Sequence, residues 1–179
     1  MKKVFYLLGL IMSFTVFAQA KDDVKTVPSV DLNRYVGKWF EIAKYPNRFQ
    51  KKCVANTSAV YTLKGNGKIE VLNSCQTKDG KMDEAKGDAK IVDKKTNAKL
   101  KVRFAPGFLS FLPMVWGDYW VIDLEPSYQY AVIGTPSRDY LWILSRTPEL
   151  DEKTYQGILN RVKEQGFDPN KLEKSPQNK

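Results

Sequence analysis

The sequence predicts an all-β domain with one C-terminal helix: an eight-stranded up-and-down antiparallel β-barrel with the helix packed outside it. Two observations predict it. Between Gly37 and Arg146 apolar residues recur at period two, and hairpin-type turns separate the runs. The period then changes. Tyr155, Ile158, Leu159 and Val162 follow i, i+3, i+4, i+7, which is an amphipathic helix. Eight strands can close into a barrel that holds one small ligand.

The chain opens with Met1-Lys2-Lys3, an apolar run from Val4 to Phe17, and Ala18-Gln19-Ala20. A charged start, a short apolar core and an A-x-A ending read as a secretory signal peptide over residues 1–20. The run is short for a membrane span, and an N-terminal anchor is the alternative. Residues 21–179 then form a single domain, with the barrel over about 37–146 and the helix over about 151–165. No cysteine follows the cleavage point closely, so the sequence predicts an exported protein that is not lipidated. The lysine-rich start fits a bacterium, with the periplasm as destination and peripheral contact at the outer membrane.

Removing Lys2 and Lys3 leaves 27 basic against 20 acidic residues, a net charge of +7. Export argues against nucleic acid as the partner. Many lysines alternate with apolar residues, as the wet face of a strand does; attraction to anionic lipid surfaces is the functional reading. The chain has no histidine, which removes Ser-His-Asp, Cys-His and histidine-based acid–base chemistry. It has two cysteines, Cys53 and Cys75, too few ligands for a metal site. In an oxidising compartment the pair reads as a disulfide. It closes a loop of about 20 residues, which stabilises by roughly 3 kcal/mol. No cofactor is expected.

Asp31 can cap one turn of helix carrying Leu32 and Tyr35, able to plug one end of a sheet structure. The first strand starts at Gly37 and puts Trp39, Glu41, Ala43 and Tyr45 on one face; Pro46-Asn47 ends it. Cys53 to Leu63 and Lys68 to Cys75 follow, joined by the hairpin signal Lys64-Gly65-Asn66-Gly67. Cys53 and Cys75 then lie nearly opposite each other. The fourth strand turns Ala85, Gly87, Ala89 and Ile91 inward, small residues expected to leave internal room. Leu100, Val102 and Phe104 form the fifth. Residues 106–117 are apolar but hold two prolines, so they read as a loop: a buried flap, or an apolar lip around an opening. Asp118 to Leu124, Tyr128 to Gly134 and Tyr140 to Arg146 complete the eight. In the helix, Asp151 is the N-cap, Leu150 staples onto Tyr155, and Gly166 sits at C′ with Phe167 packing back on Val162. The tail from Lys171 onward is polar and expected to be mobile.

Three blocks carry a resemblance: Gly37-Lys38-Trp39 at the first strand, Asp118-Tyr119 opening a late strand, and Arg146 after the last strand's apolar core. In that order they resemble the lipocalin family. The runs Gly37 to Ala43 and Asp139 to Pro148, with Gly166-Phe167-Asp168 after the helix, are most similar to the bacterial lipocalins, which also resemble apolipoprotein D. The resemblance spans roughly Asp31 to Leu172. It implies a barrel closed at the Trp39 end, with Arg146 lying over Trp39 as a structural contact of about 1 kcal/mol or more. It also implies carriage of one small hydrophobic molecule, a fatty acid or lysophospholipid, and a role in cell-envelope lipid maintenance.

The residues expected to meet that ligand are Glu41, Ala43, Tyr45, Tyr61, Asn73, Phe104, Tyr119, Trp142 and Leu144. Arg48, Lys51 and Lys52 are expected at the rim to hold an anionic head group, with Phe108, Phe111 and Trp116 as the apolar lip. No catalytic residue is assigned. One rival is an isomerase-type enzyme of the same fold with Glu41 as base; another is an interaction module that uses only surface loops. The sequence leaves monomer and homodimer both open.

Overall fold

The computed structural model describes residues 23–178 except Asn66; the segment 1–20, read above as a signal peptide, lies outside the described residues. A short helix, α1 (Leu32–Tyr35), precedes eight strands: β1 (Gly37–Lys44), β2 (Cys53–Leu63), β3 (Ile69–Thr77), β4 (Met82–Ile91), β5 (Lys99–Arg103), β6 (Gly117–Leu124), β7 (Tyr130–Gly134) and β8 (Leu141–Ser145). The long helix α2 (Glu152–Glu164) and a short strand β9 (Glu173–Lys174) follow. Each strand pairs antiparallel with the next, and β1 pairs with both β8 and β2, which closes the barrel.

Asp31 caps α1, its carboxylate accepting the Asn33 N–H at 2.9 Å. The α1 turn carries Tyr35 into the barrel's base. Tyr35, Trp39, Tyr61, Val71, Ala89, Leu100, Tyr119, Val121, Ile133 and Leu144 belong to one buried apolar cluster, the interior. A second cluster lies between the wall and α2. There Tyr155, Ile158 and Val162 cover Ile122, Val132, Leu141 and Ile143. Asp151 caps α2, and Gly166 (φ +79°) takes the left-handed conformation that ends it. Phe167 folds back, its N–H bonding the Val162 carbonyl at 3.0 Å. Its ring sits where a Cβ on Gly134 would approach within 2.7 Å, so only glycine lets the helix end this close to the wall.

Two features depart from the sequence reading. In β1 the pairing with β8 shifts by one residue between Glu41 and Ala43: Glu41 faces Leu144, whereas Ala43 faces Ile143. One extra residue in a strand reverses which face the following side chains use. Ala43 and Tyr45 therefore leave the interior and join the cluster under α2. The second departure is the C-terminal tail. Instead of being mobile, it forms β9 against Ala43 and Lys44 and continues along the wall to Asn178.

Candidate functional site

The floor of the barrel is built on Trp39, fully buried, with its indole N–H donating to the Tyr35 carbonyl at 2.7 Å. The Arg146 guanidinium lies 3.7 Å from the Trp39 ring centre. It donates to the carbonyls of Lys38, Arg34, Tyr35, Val36 and Tyr128. Gly37 (φ +94°) turns the chain directly beneath it. These residues seal one end. Asp118, grouped with them in the sequence, lies elsewhere: it pairs with Lys101 at 2.7 Å where β6 leaves the open end.

Above the floor three tyrosine hydroxyls form a buried chain. Tyr119 sits in the middle, 2.7 Å from the Tyr35 hydroxyl and 2.9 Å from that of Tyr61. Burial pushes Tyr61 up to about 12, and Tyr35 and Tyr119 well above the ordinary tyrosine range, so all three are neutral donors and acceptors. Higher on the wall Leu144 and Trp142 face inward. Asn73 is half-buried between its strand partners Ala59 and Ala85.

Near the open end a polar cluster gathers around Glu41, which is only 3 % exposed. Its two carboxylate oxygens accept hydrogen bonds of 2.5 Å from the Ser175 hydroxyl and the Gln50 amide. The Gln50 carbonyl oxygen accepts from the Trp142 indole at 3.1 Å. Burial raises the Glu41 carboxyl, and those two hydrogen bonds pull it part of the way back. Gln50 and Ser175 escaped the sequence reading. Both are common polar residues in loop or tail settings, and only the fold brings them to Glu41.

The mouth is formed by residues 45–52, 77–81, 104–116 and 135–140. Phe108 and Phe111 are 76 % exposed, Met114 86 % and Phe49 59 %. Trp116 is not part of this lip. Its ring lies on the outer wall, 4.1 Å from the Lys90 ammonium and 5.1 Å from the Arg103 guanidinium, with its N–H on the Ser110 carbonyl. Two prolines and two short helical turns, Gly107–Leu109 and Pro113–Val115, fold the loop back in this way. Lys52 is engaged by Asp83 at 2.6 Å, and Arg48 stacks beside Phe49 at 5.0 Å. Phe104 is not a wall residue deep in the cup. It is 43 % exposed, and its ring covers Gly87, where a Cβ would lie 2.7 Å from it. The small residue on β4 thus accommodates Phe104 rather than leaving internal room. Beside it a cleft of about 360 Å³ is lined by Lys86, Gly87, Asp88, Arg103, Phe104 and residues 105–107. The disulfide joins Cys53 and Cys75 near the mouth, with Cα atoms 5.5 Å apart.

Among known proteins, the profile of the lipocalin-like domain matches residues 30–177. Temperature-induced lipocalin-1 of Arabidopsis thaliana is 46% identical over 159 residues, covering 88% of this chain and 84% of that protein. Outer membrane lipoprotein Blc of Escherichia coli K12 is 36% identical over 150 residues, covering 83% and 80%. Apolipoprotein D of Mus musculus is 34% identical over 150 residues, covering 79% and 74%. Among solved structures, insecticyanin from Manduca sexta superposes with a TM-score of 0.70 at 26% identity, covering 89% of this chain and 87% of that one. A barrel sealed by an arginine over a tryptophan, with one helix on its wall and these relatives, leads to one conclusion: the chain belongs to the lipocalin-like family, whose members bind small hydrophobic molecules.

Proposed function

We propose that the protein takes one single-chain lipid, a fatty acid or lysophospholipid, from a membrane surface and holds it in the barrel, serving cell-envelope lipid maintenance. The observation that carries this reading is the asymmetry of the mouth. Phe49, Phe108, Phe111 and Met114 stand exposed around an opening whose first loop carries Arg48 and Lys51. Exposed apolar side chains beside cations suit a surface that is anionic outside and apolar within. The acyl chain would lie along Trp142 and Leu144 toward the tyrosine chain, with Asn73 and the Glu41–Gln50 pair as polar guides. The reading is of a carrier. As a base, Glu41 would need a free oxygen, and both are engaged by Ser175 and Gln50. The protein is read as exported to the periplasm, an oxidising compartment in which Cys53 and Cys75 join in the disulfide. It acts there as a monomer or homodimer, with peripheral contact at the outer membrane.

The test is native mass spectrometry of the purified protein, followed by titration of the stripped form with a lysophospholipid while tryptophan fluorescence is read. A co-purifying single-chain lipid and saturable one-to-one quenching are expected. An empty barrel that takes up no lipid would favour the interaction module that uses only surface loops.

A further inference from the structure

We infer that the C-terminal segment Glu173–Asn178 is a releasable strand closing a lateral opening between β1 and β2, and that the acyl chain passes through this seam. The inference rests on the reading of the barrel as an acyl-chain cup. Its ground is the way the two strands part. β1 and β2 pair only over Gly37–Phe40, opposite Tyr61–Ser58. Above that level each bends. β1 shifts register between Glu41 and Ala43, and β2 shifts twice between Cys53 and Ser58, with Asn56 in the left-handed region at φ +55°. The upper halves of the two strands do not pair with each other.

The tail spans the gap between them. Glu173 and Lys174 pair with Lys44 and Ala43, and the Ser175 N–H donates to the Ile42 carbonyl at 2.9 Å. The Gln177 amide straddles the seam, donating to the Glu41 carbonyl at 2.8 Å and to the Thr57 carbonyl at 2.9 Å. On the β2 side the Asn56 N–H donates to the Pro176 carbonyl, and the Asn178 N–H donates to the Asn56 side chain. Every one of these contacts is polar. Among the described residues Leu172 is the last to join an apolar cluster, so apolar burial anchors the tail only up to that point. A hydrogen bond that replaces one to water contributes little more than the ordering of its residue costs, which leaves docking and release close in free energy.

Directly behind the tail a chain of hydrogen bonds leads to the inner wall. The Ser175 hydroxyl reaches the Glu41 carboxylate, which bonds Gln50, which in turn holds the Trp142 indole. Releasing the tail uncovers Glu41 and the wall beside Trp142. It also frees Lys44 from Glu173, which it meets at 3.3 Å. The groups facing the carboxyl are Lys44 on β1, Ser175 on the tail, Gln50 on the mouth loop and the Tyr61 hydroxyl within. Burial raises this carboxyl, while the hydrogen bond that the tail itself supplies from Ser175 favours the ionised form.

The experiment locks the tail. In the full-length mature chain, K44C with E173C places cysteines at paired positions on β1 and β9. Uptake of the fluorescent fatty acid cis-parinaric acid is followed by stopped flow, oxidised and after mild reduction, with wild type treated identically. Uptake at least tenfold slower when oxidised, and restored on reduction, is expected. Equal rates in both states overturn the inference while leaving the cup reading intact. Absence of parinaric acid binding in every form overturns both. If the cysteine pair does not fold, S175A with Q177A serves: a severalfold faster uptake is expected, and an unchanged rate overturns the inference.

Discussion

The closed and open ends of the barrel are made from opposite kinds of contact. At the closed end Trp39 is fully buried, Arg146 satisfies five backbone carbonyls, and the tyrosine chain stacks its hydroxyls above them. At the open end Phe108, Phe111 and Met114 face solvent, and the polar contacts run through Glu41 to a loop and a tail. Nothing has to pass through the floor, so it can be built from contacts that are costly to break. The mouth must exchange its contents, and there apolar surface stays uncovered and the hydrogen bonds are ones that water can replace. Stability and function are thereby separated along a single strand, β1, whose lower half belongs to the floor and whose upper half belongs to the seam.

The largest effect expected is at the floor. Trp39→Ala removes a fully buried indole and the platform for Arg146, and should cost about 3–5 kcal/mol, read from the urea midpoint. A loss under about 1 kcal/mol would mean the base is not packed as described and would break the contrast. Next comes the tyrosine chain. Tyr119→Phe removes the middle hydroxyl and strands two others, whereas Tyr35→Phe removes an end and strands none. The middle substitution should cost about 1–3 kcal/mol and the end one distinctly less. Equal costs would show that the hydroxyls do not act as a chain.

The contrast also marks what could be read from the residues alone. The strands follow from period-two spacing and α2 from its stripe and caps, all local; the floor is legible only through the resemblance that the Gly-x-Trp and arginine blocks carry, which implies Arg146 over Trp39. Legibility ended at the shift between Glu41 and Ala43. Alternation gives a strand's faces only while the register holds, and a bulge leaves no mark in residue types as ordinary as Ile42 and Ala43. That is why alternation points Ala43 and Tyr45 inward whereas they pack under α2. Trp116 and Phe104 depart from the sequence expectation for another reason: an apolar loop can fold onto its own wall as readily as across an opening. The tail's docking was hidden because Ser175, Gln177 and Asn178 are residues typical of disordered ends, and their partners are carbonyls and side chains far away in sequence.

Glu41 tests the upper half of β1. Its carboxyl is raised above its ordinary 4.5 by burial, with Ser175, Gln50 and Lys44 opposing. The folded protein therefore holds the protonated form more tightly than the unfolded chain does. That contribution is fully present below the unfolded value and is lost as pH rises through the raised one. Glu41→Gln keeps the shape and removes the titration. Wild-type stability minus that of Glu41→Gln, measured by urea unfolding from acid to neutral pH, should fall across this window and level off above it. A difference independent of pH would mean that Glu41 is hydrated rather than buried.

The smallest effect on stability is expected where the effect on function should be large. Phe108, Phe111 and Met114 each expose most of their surface, so their joint replacement by Ser should change stability by no more than about 0.5 kcal/mol. Yet a phenylalanine moved fully from water into an apolar phase gains about 1.5–3 kcal/mol. Two phenylalanines and a methionine that insert even partway are enough to change association with anionic vesicles at least tenfold. Sedimentation of wild type and the triple variant with such vesicles measures this directly. Raising the salt separates the two contributions, because the attraction of Arg48 and Lys51 is screened within about 8–10 Å at ordinary ionic strength and the apolar part is not. Wild type should keep a salt-resistant share of binding that the triple variant lacks. If both lose binding equally as salt rises, the mouth is held to the membrane by charge alone, and its exposed aromatics need another explanation.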